Sequence, residues 1–232
     1  MILRQIQELI GGIYDVNIVH DVYDFLVTDR ESLPAAARCG TTDEQLIVAQ
    51  HVGPNVGQNV GDDVDEDAGA IGVSLYLDPA LLERLQQASP LVRLDEANVA
   101  DYWTALEGVS HFLYFAWNAG HDKSVTLLEL ELQAEIDKYV ASYLLLKRQF
   151  PERFPAELMR LLFERTRIDP TLANGRDSLY RAASRHAEKF CRHLERTLRT
   201  SRREFEHEVL AELRRFYRLT DASKVAHIER AS

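Results

Sequence analysis

Leu128-Glu129-Leu130-Glu131-Leu132-Gln133 is the stretch on which the fold turns, because taken alone it has two readings. Its strict alternation fits a half-buried strand. The run continues without a breaker through Ala134, Ile136, Tyr139, Tyr143 and Leu146. At 100° per residue, Leu128, Leu132, Ile136, Tyr139, Tyr143 and Leu146 share one face. The spacing therefore predicts a helix, capped at Ser124, that runs to about Gln149, where Pro151 and Pro155 punctuate before a further helix over 156–165.

Working outward, the upstream neighbour is also helical. Asp95 is placed to cap a helix reaching about Ala119 that is apolar nearly all round after Gly108, as a core helix is. Asp78-Pro79 is an N-cap followed by proline at the first helical position and opens a shorter helix to about Gln87. Downstream, Arg176 to Leu219 holds one long helix or two broken near Thr200-Ser201, and Asp221 caps a last short one.

The first 77 residues differ. Met1 to Ile10 reads as a short helix stopped by Gly11-Gly12. His20–Thr28, Gln45–Val52 and Ala70–Leu77 are short, β-branched or alternating, and are the three candidate strands. Residues 53–69, rich in glycine and carrying Asp62-Asp63-Val64-Asp65-Glu66-Asp67, read as a mobile acidic loop. The expected fold is mainly α: a small N-terminal α+β part, residues 1–77, packed on a C-terminal bundle of about five helices, residues 78–232, as two parts or one continuous domain.

Composition narrows the classes. The chain has 232 residues, 46% hydrophobic and 28% charged, with a formal charge of −10. That is enough apolar side chain for a sizeable core. No secretory leader and no stretch of roughly 18 apolar residues is seen, so a cytoplasmic protein without a membrane partner is expected. Cys39 and Cys191 lie too far apart in sequence to suggest a disulfide framework and read as small core residues. The charge is polarised: residues 1–150 hold 9 basic and 24 acidic side chains, and residues 151–232 hold 18 and 13.

The basic excess is ordered. Arg181, Arg185, Lys189, Arg192, Arg196, Arg199 and Arg203 recur every three or four residues, so on a helix they fall within about 80° along a rod about 33 Å long. Leu179, Ala183, Ala187, Phe190, Leu194, Leu198 and Phe205 fall on the other side. Arginine forks suit carboxylates and phosphates. The ridge reads as a solvated face whose repulsion Glu188, Glu195 and Glu206 relieve, or as a docking face, for which an acidic protein surface or the chain's own Asp62–Asp67 loop is the expected partner and a nucleic-acid backbone the alternative. An interaction or regulatory protein is the function expected, with a nucleic-acid-binding protein or, if an enzyme, a metal-independent ribonuclease as the alternative.

Candidate chemistry is sparse. Arg181 to His186 and Arg202 to His207 each have the Arg-x4-His spacing and in this resemble the helical HEPN ribonucleases. The resemblance implies an arginine steadying phosphate and a histidine in acid–base cleavage, without metal. Each match covers six residues, and Ala182 stands where that family's pattern prefers a polar residue. Glu107 and His111 lie four apart and Glu204 and His207 three apart. A di-iron bundle needs two Glu-x-x-His sets, and only one is present, so neither metal nor cofactor is expected. Glu131, Glu135 and Lys138 form a polar stripe on an otherwise apolar helix, for which the ridge arginines are the expected partners. No phosphate-cradling glycine loop and no nucleophile motif occurs.

Overall fold

A computed structural model describes residues 1–35, 37–38, 42–50, 71–164, 177–200 and 204–230. Residues 53–69, Cys39, Arg202 and Arg203 fall outside that set, and with them the acidic loop. The described residues are mainly helical with a small three-stranded sheet. The helices are α1 (Ile2–Tyr14), α2 (Pro79–Gln87), α3 (Val99–Ala119), α4 (Leu127–Gln149), α5 (Asp177–Thr200), α6 (Glu204–Tyr217) and α7 (Asp221–Arg230). The strands are β1 (Leu26–Val27), β2 (Glu44–Gln50) and β3 (Ile71–Leu77), in the order β1-β3-β2. β1 runs parallel and β2 antiparallel to the central β3, with Leu46 opposite Leu75.

The alternating Leu128–Gln133 stretch is helix, for a physical reason visible at its start. Thr126, not Ser124, caps α4: its hydroxyl accepts from the Glu129 backbone N–H at 3.1 Å while the Glu129 carboxylate accepts from the Thr126 N–H at 2.9 Å. This reciprocal capping box satisfies two otherwise orphaned donors. The alternation then stops mattering because α4 is enclosed on most sides, against α3 on one side and α5 on another.

Other boundaries move for local reasons. α1 runs through Gly11-Gly12 and ends at Asp15, whose φ of 54° closes a left-handed cap. Its last carbonyls are held from far along the chain. Arg214 donates to the carbonyls of Gly12 and Ile13, and Arg218 to those of Tyr14 and Asp15. These bonds give partners to acceptors that a helix end leaves unmatched. The first candidate strand shrinks to β1, because the Asp21 carboxylate accepts from the Tyr23 N–H at 3.0 Å and turns Val22–Asp24 into a 3-10 segment. α3 starts at Val99, since the Asp95 carboxylate serves a preceding turn, accepting from the Ala97 N–H. Within 156–164 the chain is helical from Leu158 to Glu164, and Arg160–Glu164 of it is a five-residue π segment. α2 opens as read, with Asp78 accepting from the Ala80 N–H at 2.8 Å.

One hydrophobic cluster reaches from Leu3 of α1 through Leu75 of β3, Phe112 of α3 and Ile136 of α4 to Phe216 of α6 and Ile228 of α7. α3 is its hub, touching α1, α2, α4, β2 and β3. No helix among the described residues is long and apolar enough to cross a membrane.

Candidate functional site

Two charged regions compete for the role of functional site. α5 is the first, and it is unbroken over its 24 residues. Ala183, Ala187, Phe190, Cys191 and Leu194 are buried, while Arg181, Arg185, Arg192, Arg196 and Arg199 are exposed and Lys189 is half-buried. Several ridge cations have neighbours of their own. Arg192 pairs with Glu188 at 2.5 Å, Arg199 with Glu195 at 3.2 Å and over the Phe154 ring, and Lys189 with Glu229 of α7 at 2.6 Å. Lys189 holds the Glu229 carboxyl below its ordinary range.

The ridge does not serve the polar stripe of α4. The apolar face of α5 is the one turned inward, so its arginines point away. The stripe instead takes its partners from α3 and β2. Lys138, with a side chain only 10% exposed, donates to Glu107 of α3 at 2.6 Å and to Glu135 one turn back at 2.8 Å. Glu131 faces His111, its oxygen 3.9 Å from Nε2, and on the other side of the imidazole Glu44 of β2 lies 3.5 Å from Nδ1. Both separations exceed a hydrogen bond. His111 Nε2 and Glu44 Oε1 are buried and find no hydrogen-bond partner.

Why these six groups meet follows from spacing. Glu107 and His111 stand one turn apart on α3, Glu131 and Glu135 one turn apart on α4, and Lys138 three residues on. Glu44 enters because position 108 is glycine. A Cβ there would lie 2.9 Å from Glu44 Cγ and 2.9 Å from Leu75 Cδ1, so the bare backbone is the channel through which the Glu44 side chain crosses α3.

The electrostatics follow from burial and neighbours. Burial raises the Glu44 carboxyl and lifts Glu131 to about 7. On Glu107 burial is outweighed by Lys138 and His111, so its carboxyl sits below the usual range. His111 is pushed down by burial but more strongly up by Glu131, Glu44 and Glu107, ending at about 9. Lys138 is held above its ordinary value, since Glu107 and Glu135 overcome desolvation.

A second buried network lies deeper. Asp137 of α4 accepts from Tyr14, from Ser110 at 2.5 Å and from Gln133 at 2.9 Å, and Gln133 accepts from Lys224 of α7 at 2.8 Å. The Lys224 ammonium sits over the Tyr114 and Phe216 rings at 4.4 and 4.8 Å. Burial lifts Asp137 to about 6 and lowers Lys224 to about 7. Behind it, between α4, α5 and α6, is an apolar cavity of about 40 Å³ lined by Tyr139, Leu194, Leu198 and Val209.

The two histidines of the ribonuclease-like motifs stand apart, and Arg202 lies outside the described residues. Arg181 is exposed and His186 half-buried in the first half of α5, and His207 is exposed near the start of α6. Phe190 stacks on Phe216, while Leu198 shares a cavity with Val209, so α5 and α6 run antiparallel. His207 therefore sits beside the far end of α5, about 20 Å from His186 at 1.5 Å per residue. Glu129 is absorbed in the α4 cap. The residues that sequence reasoning missed are Glu44, Asp137 and Lys224. Only the burial implied by the apolar faces around Asp137 signalled any of them.

No family model matches the chain, and neither a curated protein nor a solved structure resembles it.

Proposed function

We propose that the chain is a cytoplasmic interaction protein that docks an acidic protein surface through the cationic face of α5. The observation that carries this reading is five exposed arginines on one face of an unbroken helix whose other face is sealed into the core. Such a face needs no ordering before it binds, which lowers the entropic cost of association. The pairs that Arg192 and Arg199 make within α5 do not oppose it. Exposed pairs four apart on a helix are worth about 0.3–0.5 kcal/mol, so a partner's bidentate carboxylate displaces them readily. Two cysteines without a disulfide framework suit a reducing compartment.

The second reading, nucleic-acid backbone binding, draws on the same alignment, since from Arg181 to Arg199 the rise is about 27 Å. The formal charge of −10 argues for the protein partner, because long-range repulsion slows approach to a polyanion as dense as a duplex.

Fluorescence anisotropy with a labelled polyglutamate peptide and with labelled duplex DNA and RNA separates the readings. Peptide binding that weakens at least tenfold in the Arg185→Glu, Arg192→Glu, Arg199→Glu triple variant is the expected result. Absence of peptide binding at low salt, or binding indifferent to the triple variant, defeats the proposal. Cleavage of an RNA pool that disappears in His186→Ala or His207→Ala replaces it with the ribonuclease.

A further inference from the structure

The geometry points to a second function in the cluster under β2: Glu44, Glu107 and His111 hold a divalent first-row transition-metal ion. One donor atom from each of the three lies within 4.8 Å of the others. Ligands about 2.0–2.2 Å from a common ion sit up to about 4.4 Å apart, so small side-chain rotations close the set.

The unsatisfied atoms make this more than a collection of acids. The His111 side chain is only 7% exposed and its Nε2 has no hydrogen bond, and the same is true of Glu44 Oε1 facing the ring's other nitrogen. Buried polar atoms without partners are uncommon and ask for an explanation. His111 Nδ1 stands 3.5 Å from a Glu44 oxygen, longer than a normal hydrogen bond and close to the separation of two ligands on one ion. Lys138 does not take the place of such an ion, since its ammonium is already committed to Glu107 and Glu135. With all four glutamates ionised they outnumber the lysine and the protonated histidine by two, an excess that favours a cation.

The donor set selects the ion. Carboxylates alone would suit magnesium or calcium, whereas an imidazole beside two carboxylates suits manganese, iron or zinc. Lys138 then acts from outside the ligand set, fixing Glu107 through one carboxylate oxygen so that the other faces His111, as groups behind a metal's ligands do. Gly108 has its purpose here too, since without it Glu44 could not reach the imidazole.

The test uses the full chain freed of metal with a chelator. Calorimetric titration with Mn²⁺ and with Zn²⁺ is expected to show one equivalent bound and Mg²⁺ to compete poorly. Co²⁺ is expected to give visible absorption and a hyperfine-shifted imidazole N–H in the proton NMR spectrum. His111→Gln and Glu44→Gln are each expected to weaken the ion at least tenfold, while His186→Ala, on α5, leaves it unchanged. No stoichiometric binding by the parent chain, or affinity indifferent to His111→Gln, overturns the assignment. If the cluster variants do not fold, the parent's Co²⁺ spectrum decides: without an imidazole signal the assignment fails.

Discussion

α5 and the α3–α4 pair carry the same currency of charge in opposite surroundings. On α5 the cations face water and lean on acids of their own helix or of α7. Between α3 and α4, four glutamates, a histidine and a lysine are enclosed by hydrophobic side chains. A surface pair is screened by solvent and can be exchanged for another partner. A buried one cannot be given up without stranding a charge. The contrast is the ground for the two proposals, reversible contact for α5 and the holding of an ion for the enclosed cluster.

The largest effect that sharpens this contrast is expected from Lys138→Met. Removing the ammonium strands Glu107 and Glu135, and loss of about 3–5 kcal/mol in urea unfolding is expected. A loss below about 1 kcal/mol would put Lys138 in the same class as the α5 ridge and erase the distinction.

Next comes a pH dependence. Lys224 titrates near its ordinary value of 10.5 when the chain is unfolded and at about 7 when folded, because burial outweighs Glu129, Asp137 and Asp221 around it. Between those values the unfolded chain binds more protons, so stability rises with pH by about 1.4 kcal/mol per unit from this group and levels off above the window. Asp137 acts at lower pH and with the opposite slope: raised to about 6 in the fold, it favours folding below that value and withdraws the benefit as pH climbs through it. Unfolding curves from pH 6 to 10 should flatten in Lys224→Met.

Gly108→Ala is expected to cost about 1–3 kcal/mol, because the added methyl meets Glu44 Cγ and Leu75 Cδ1 at 2.9 Å. It should also displace Glu44 from His111, a shift that a histidine-detected NMR titration would register. The smallest effect belongs to α5. Arg192→Ala, at a side chain 55% exposed, should change thermal stability by no more than about 0.5 kcal/mol.

Much of the helical architecture was legible because it rests on periodicity and on caps that are local in sequence. The pattern over 128–146 and the Asp78-Pro79 start needed no distant information. Boundaries failed where a distant side chain intervened. Nothing near Gly11-Gly12 announces that Arg214 and Arg218 will take up the carbonyls beyond them. The polar stripe of Glu131, Glu135 and Lys138 was visible as charge on an apolar helix, and Glu107 and His111 as a pair one turn apart. That the two sets face one another depends on how α3 crosses α4, and the arrival of Glu44 depends on a glycine channel and a strand register. Those are properties of tertiary packing that no window of sequence contains.

The arginines that seize the end of α1 reach across about 200 positions of chain. α1 is made well before the groups that complete its terminus, which follow about 200 positions later. During synthesis the opening helix waits with bare carbonyls and an uncovered apolar side, exposed to whatever else the cell offers, until α6 arrives. Contacts this distant slow folding, since a long loop must close before they reward it. α1 and α6 are thus clasped together, and removing α6 would undo the end of α1.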